Sequence, residues 1–106
     1  MTPNKAAKVI RELASQIEAK LKADEVTEEL ELYCHIDVCH LRLIALYLEK
    51  ANKATTKRAA QDWLKQVCST IQSLDIQFLS VKALGIEPEI PDNIWGYLLT
   101  LGPQGY

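Results

Sequence analysis

Glycine and proline are scarce in this chain. Each occurs four times in 106 residues, and Pro3 is the only one of either before Gly85. So long a stretch without helix breakers excludes an architecture of short strands, which needs turn residues at close intervals. Long apolar runs are missing too. The longest, Leu43 to Leu48, is far short of the roughly 20 residues that a membrane helix requires, and no membrane partner is expected. The N-terminal segment lacks the apolar stretch of a secretory signal, which places the expected compartment in the cytoplasm. Cysteine is sparse and odd in number: Cys34, Cys39 and Cys68 read as free thiols rather than a disulfide framework. A cationic excess is absent as well. Twelve Lys and Arg stand against 14 Asp and Glu, with no basic stripe interleaved with aromatics, so nucleic acid is not an expected partner. Nucleotide-binding glycine loops, the G-x-S-x-G elbow, H-E-x-x-H and solenoid-length repeats are all missing.

What is present is an amphipathic helical pattern. With 48% apolar and 25% charged residues, a chain of this size buries about 65% of its unfolded surface and needs no cofactor to hold a core. Ala6, Ile10, Leu13, Ile17 and Leu21 recur at spacings of three and four, which predicts a helix over about 4–23. Thr27 is placed to cap a second helix over 27–53, with acidic residues at its start and Lys50 and Lys53 at its end, as the helix dipole favours. Thr55 or Thr56 can cap a third, in which Ala60, Leu64, Val67, Ile71, Leu74, Phe78 and Val81 form a four-three seam. That seam predicts one helix over 56–84, closed by Gly85 in a left-handed C′ position. The breakers that follow punctuate a tail with a short amphipathic helix over 92–101. Short connections force consecutive long helices to run antiparallel. The expected fold is all-α: a single domain spanning residues 1–106, an up-down-up antiparallel bundle of three long helices plus a short C-terminal helix.

Charge alternates along this bundle, at +3 over residues 1–23, −6 over 24–49, +4 over 50–68 and −3 over 69–106. Opposite signs on neighbouring helices favour their pairing by tenths of a kcal/mol per exposed pair, as is usual for surface ion pairs.

The second helix departs from the usual surface pattern. At 100° per residue, Glu31, His35, Arg42 and Glu49 share a polar strip about 40° wide, and nearly all the rest is apolar. An ordinary surface helix has an apolar stripe somewhat over 100° wide, and this one spans more than twice that. Either the C-terminal tail closes the extra face, or a partner does. The expected reading is a non-enzymatic interaction module, an adaptor, assembly factor or regulator, that forms a homodimer and has room for another protein partner. Leu32, Ile36, Leu43 and Tyr47 are the candidate interface residues, with Trp63 and Trp95 as anchors.

Two polar residues interrupt the apolar arc. Asp37 and His40 are three apart, so they are adjacent on a helix. A carboxylate that orients an imidazole serves general bases and metal ligands, and also satisfies a buried core pair. The structural role is the expected one, and no catalytic residues are assigned. Nearby, Cys34, His35, Cys39 and His40 carry metal-ligating atoms, and His35 and Cys39 can grip one ion from one helix. Tetrahedral zinc needs two further ligands, however. The same residues read C-x4-C-H, which resembles the longer-spaced haem-attachment variant of some multihaem c-type cytochromes. By that resemblance Cys34 and Cys39 would form the thioethers and His40 would be the axial ligand. Within a helix, though, the two cysteines point about 140° apart, and no cofactor is expected. The alternative function is therefore a ligand-, metal- or haem-binding bundle centred on Asp37 and His40.

Overall fold

A computed structural model of the chain describes residues 2–74, 78–87, 93–94, 96–98 and 100. Among them are four helices, α1 (Pro3–Ala23), α2 (Glu28–Lys53), α3 (Lys57–Ser73) and α4 (Leu79–Ala83), and no strand. Asn93, Ile94, Gly96 to Leu98 and Thr100 are also helical, and the ends of the expected 92–101 helix lie outside the described residues.

Local chemistry accounts for the boundaries. Thr2, Thr27 and Thr56 have extended backbones, and each side-chain oxygen accepts from an amide three residues on, Lys5, Leu30 and Ala59, at 3.3, 3.2 and 3.1 Å. These are N-caps, each satisfying one of the donors a helix start leaves unpaired. Pro3 follows Thr2 at the first helical turn, where its missing amide is not needed.

The third helix is shorter than the sequence predicts. It ends at Ser73, Leu74 is extended, and Phe78 adopts the left-handed region (φ 51°) immediately before α4. One helix over 56–84 is therefore replaced by two. The seam residues Val67, Leu74, Phe78 and Val81 are nevertheless all buried, with Leu64 and Ile71 packed against them. Hydrophobic spacing fixes which residues face the core, and a chain can break and resume while keeping them there. Ser69, Thr70 and Ser73 weaken the last turns, and the Thr70 hydroxyl donates to the Gln66 carbonyl at 2.8 Å, a bond that often bends a helix. A bulky residue at positive φ is strained, and at Phe78 the burial of the ring (2% exposed) offsets it.

Gly85 does close the helical region, although after α4 rather than after a continuous third helix. With φ 94°, it lets its own amide reach the Lys82 carbonyl at 3.0 Å and the Ile86 amide reach Val81 at 3.3 Å. That pair of bonds is the Schellman arrangement, which a Cβ would disfavour.

α2 is the central element, and α1, α3 and α4 each pack on it. The α1 stripe Ala6, Ile10, Leu13, Ile17 and Leu21 is buried as its spacing predicts, with Ala7 and Ala14 beside it. From α2 the core takes Cys34, Val38, Leu41, Ile44, Ala45 and Leu48, and from the tail Ile94 and Leu98. Burying a Leu or Ile side chain contributes about 1.5–3 kcal/mol each, so this apolar set dominates the stability. Two ion pairs border the α1–α2 contact. Arg11 reaches Glu49 with two hydrogen bonds, 2.9 and 2.6 Å, and Arg42 reaches Glu18 at 2.8 Å. The beginning of α1 thus lies beside the end of α2.

Candidate functional site: the outward face of the second helix

The wide apolar arc of α2 is divided in two by the fold. Its buried residues, Cys34 through Ala51, occupy roughly 140° of the helix circumference at 100° per residue and face α1, α3 and α4. On the opposite side Leu32, Ile36, Leu43 and Leu46 remain 58%, 41%, 39% and 39% exposed, and Cys39 is exposed between them. Among the described residues of the tail, Ile94 and Leu98 are buried in the core rather than laid over this side.

The five residues lie within about 80° of one another on the wheel. They follow spacings of four, three, four and three, which is the repeat of a helix–helix seam. The interface expectation named Leu32, Ile36 and Leu43 of this stripe and did not include Cys39 or Leu46. The signal was available, because the heptad count that picked out the third helix finds these two as well when it is applied to the second. Together the five expose on the order of 300–400 Å² of mostly apolar surface, comparable to the largest patch on a typical monomer and of the kind that is often functional.

Tyr47 and Trp63 flank the stripe rather than forming its centre. Their rings stack with centroids 5.9 Å apart at 24°, joining α2 to α3. Both are half-buried. Trp95 lies outside the described residues.

Charge frames the stripe at both ends. Glu28, Glu29 and Glu31 occupy the first turn of α2, and Lys50 and Lys53 its last. The basic end is reinforced by neighbours: Lys5, Lys8, Arg11 and Lys53 line an open groove between the start of α1 and the end of α2, with Glu12 and Glu49 among them. The Arg11 guanidinium holds the Glu49 carboxyl below its ordinary range by hydrogen bonding, and Arg42 does the same to Glu18.

The polar candidates do not assemble into one centre. Asp37 is buried (5% exposed) on the core side. His40 is half-buried, and its Nδ1 is buried without a hydrogen-bond partner, so no bond to Asp37 satisfies that atom. Cys34 is fully buried and donates through Sγ to the Ser80 carbonyl at 3.6 Å. Burial first, and the Asp37 charge second, push its thiol up. Cys68 is pushed up by burial likewise. His35 points to solvent beside Glu31 at 3.6 Å, and Cys39 belongs to the exposed stripe. Among the described residues no three His, Cys, Asp or Glu side chains converge as a metal site would require, and no helix is long and apolar enough to cross a membrane. No protein-family model, curated protein or solved structure matches this chain.

Proposed function

We propose that this protein is a non-enzymatic interaction module that self-associates through the outward face of α2, within an up-down-up bundle of α1, α2 and α3. One observation carries the reading: a five-residue apolar stripe with seam spacing stays exposed on the central helix. A monomer gains nothing from leucines aligned this way, whereas two copies remove both stripes from water at once. A second copy is the favoured occupant for two reasons. Symmetric pairing of like surfaces is the commonest form of oligomer, and each protomer carries an acidic and a basic end that complement those of another copy.

The stripe alone is about half of the roughly 800 Å² per partner that a standard interface buries. Tyr33, the exposed parts of Tyr47 and Trp63, and the charged ends extend it. We take about micromolar affinity, roughly −8 kcal/mol, as the working value for a dimer that exchanges readily. Sedimentation equilibrium across concentrations around that value tests the reading. The expected result is a mass that rises from 11.9 kDa toward twice that value; a constant protomer mass to millimolar concentration overturns it.

The alternative, a small ligand or metal held near Asp37 and His40, has the unpartnered Nδ1 of His40 in its favour. Calorimetric titration with zinc tests it: saturable one-to-one binding lost in His40→Ala supports it, and heat that is absent or unchanged by that substitution refutes it.

A further inference from the structure

We infer that the second copy docks antiparallel, with the two α2 helices side by side in opposite directions, so that the acidic start of each lies on the basic end of the other. This rests on the proposed self-association through α2 and adds its polarity and register.

Polarity follows from the charge distribution. The start of α2 carries Glu28, Glu29 and Glu31, with Glu25 just before it and Asp24 paired to Lys20 at 3.0 Å, and the end carries Lys50 and Lys53, with Lys57 and Arg58 opening α3. The Arg11–Glu49 and Arg42–Glu18 pairs show that α1 runs against α2. Lys5 and Lys8 therefore join the basic end. Two parallel copies would stack carboxylates on carboxylates and ammonium groups on ammonium groups, whereas antiparallel copies pair them. Like charges facing each other disfavour a wrong partner geometry, and that is how charged seams select orientation.

Register follows from the stripe. In a four-three seam Leu32, Cys39 and Leu46 hold one set of positions, and Ile36, Leu43 and Lys50 the other. Antiparallel helices bring one set against the other. Centring the two-fold axis at the level of Leu41 overlaps the α2 helices over nearly their whole length, Glu28–Lys53. It sets Ile36 against the partner's Leu46, Cys39 against the partner's Leu43 and Glu29 against the partner's Lys53. Leu32 then meets the stem of the partner's Lys50, which can cover it while its ammonium stays in water. Sliding one heptad toward the start of α2 would instead press Leu46 on the partner's Glu29, whose short stem cannot do this.

Disulfide trapping tests both features. Two chains are made in a Cys39→Ala background, one with Ile36→Cys and the other with Leu46→Cys and an added mass tag. They are mixed in equal amounts in a glutathione redox buffer. The buried Cys34 and Cys68 are common to both. The expected product is the mixed disulfide joining positions 36 and 46, in several-fold excess over either homodisulfide, since facing seam positions come within the separation a disulfide spans. Predominant 36–36 and 46–46 products overturn the antiparallel arrangement, as does the absence of any cross-link while sedimentation still shows a dimer. A protomer mass in sedimentation instead marks failure of the underlying self-association, and the inference falls with it. Salt gives a second readout: rising sodium chloride weakens an antiparallel dimer several-fold by screening its ion pairs and strengthens a parallel one by screening repulsion.

Discussion

Replacing Leu43 by aspartate separates the two roles an apolar residue on α2 can have. Leu43 is 39% exposed, whereas Leu41, two residues earlier, is 1% exposed. In the folded protomer the aspartate at 43 reaches water, so its effect on folding is that of an exposed helix position, up to about 0.7 kcal/mol from propensity. For a domain of this size that lowers the melting temperature by no more than about 5 °C. In a dimer, symmetry doubles every change. The exposed share of a leucine, taken from the 1.5–3 kcal/mol of full burial, is about 1 kcal/mol per copy, and each carboxylate is pushed into an apolar seam at a desolvation penalty of several kcal/mol unless it escapes to the edge. Even partial escape leaves about 4 kcal/mol in total, or about a thousandfold in Kd. Sedimentation and far-ultraviolet circular dichroism on the same samples check this. The expected outcome is a protomer with parental helicity. A Leu43→Asp chain that associates as the parent does would refute the interface, and one that loses its helices would refute the outward placement of Leu43.

The remaining expectations concern the protomer. Leu41→Ala should destabilise folding by about 2–5 kcal/mol, as deletions in a packed core do, and denaturant unfolding measures it; a change under 1 kcal/mol would contradict its burial. With a thiol reagent such as Ellman's under dilute native conditions, one cysteine should react quickly, Cys39. The buried and upward-shifted thiols of Cys34 and Cys68 should react only on unfolding. The Glu49 carboxyl is held low by Arg11, so its folded pKa lies below its unfolded one. Its contribution to stability is then complete above the ordinary carboxylate pKa, about 4.3, and fades as pH falls through the folded value. Since both partners are more than a third exposed at the side chain or nearly so, the contribution is screened to about 0.2–1 kcal/mol. Comparing Glu49→Gln with the parent should show a gap at pH 7 that narrows below pH 4, and a gap unchanged by acid would contradict the pairing.

The parts of this fold that were legible in the sequence are those governed by local chemistry. The Thr27 and Thr56 caps, the α1 stripe and the left-handed Gly85 each depend on a few neighbouring residues, and each is where the spacing predicted it, whereas the Thr2 cap was not foreseen. The break after Ser73 was not legible because the seam passes through it unchanged: Leu74 and Phe78 are buried although one is extended and the other left-handed. On α2 the apolar excess was visible, but its division into a core side and an outward side was not. Leu41 and Leu43 are the same residue type on the same helix, and only the positions of α1 and α3 decide which is covered. The same limit applies to Asp37 and His40. Their spacing makes them neighbours on the helix surface, yet one is turned into the core and the other sits at its margin with an unpartnered Nδ1.

Cys39 offers the most direct measurement, because it is a native probe at the middle of the outward stripe. Its alkylation rate can be followed by mass spectrometry as protein concentration is raised, with mass measured on the same samples. Self-association through α2 requires the rate to fall in step with dimer formation and to recover in Leu43→Asp. A dimer whose Cys39 is alkylated as fast as in the isolated protomer would place the contact elsewhere and contradict the role assigned to this helix.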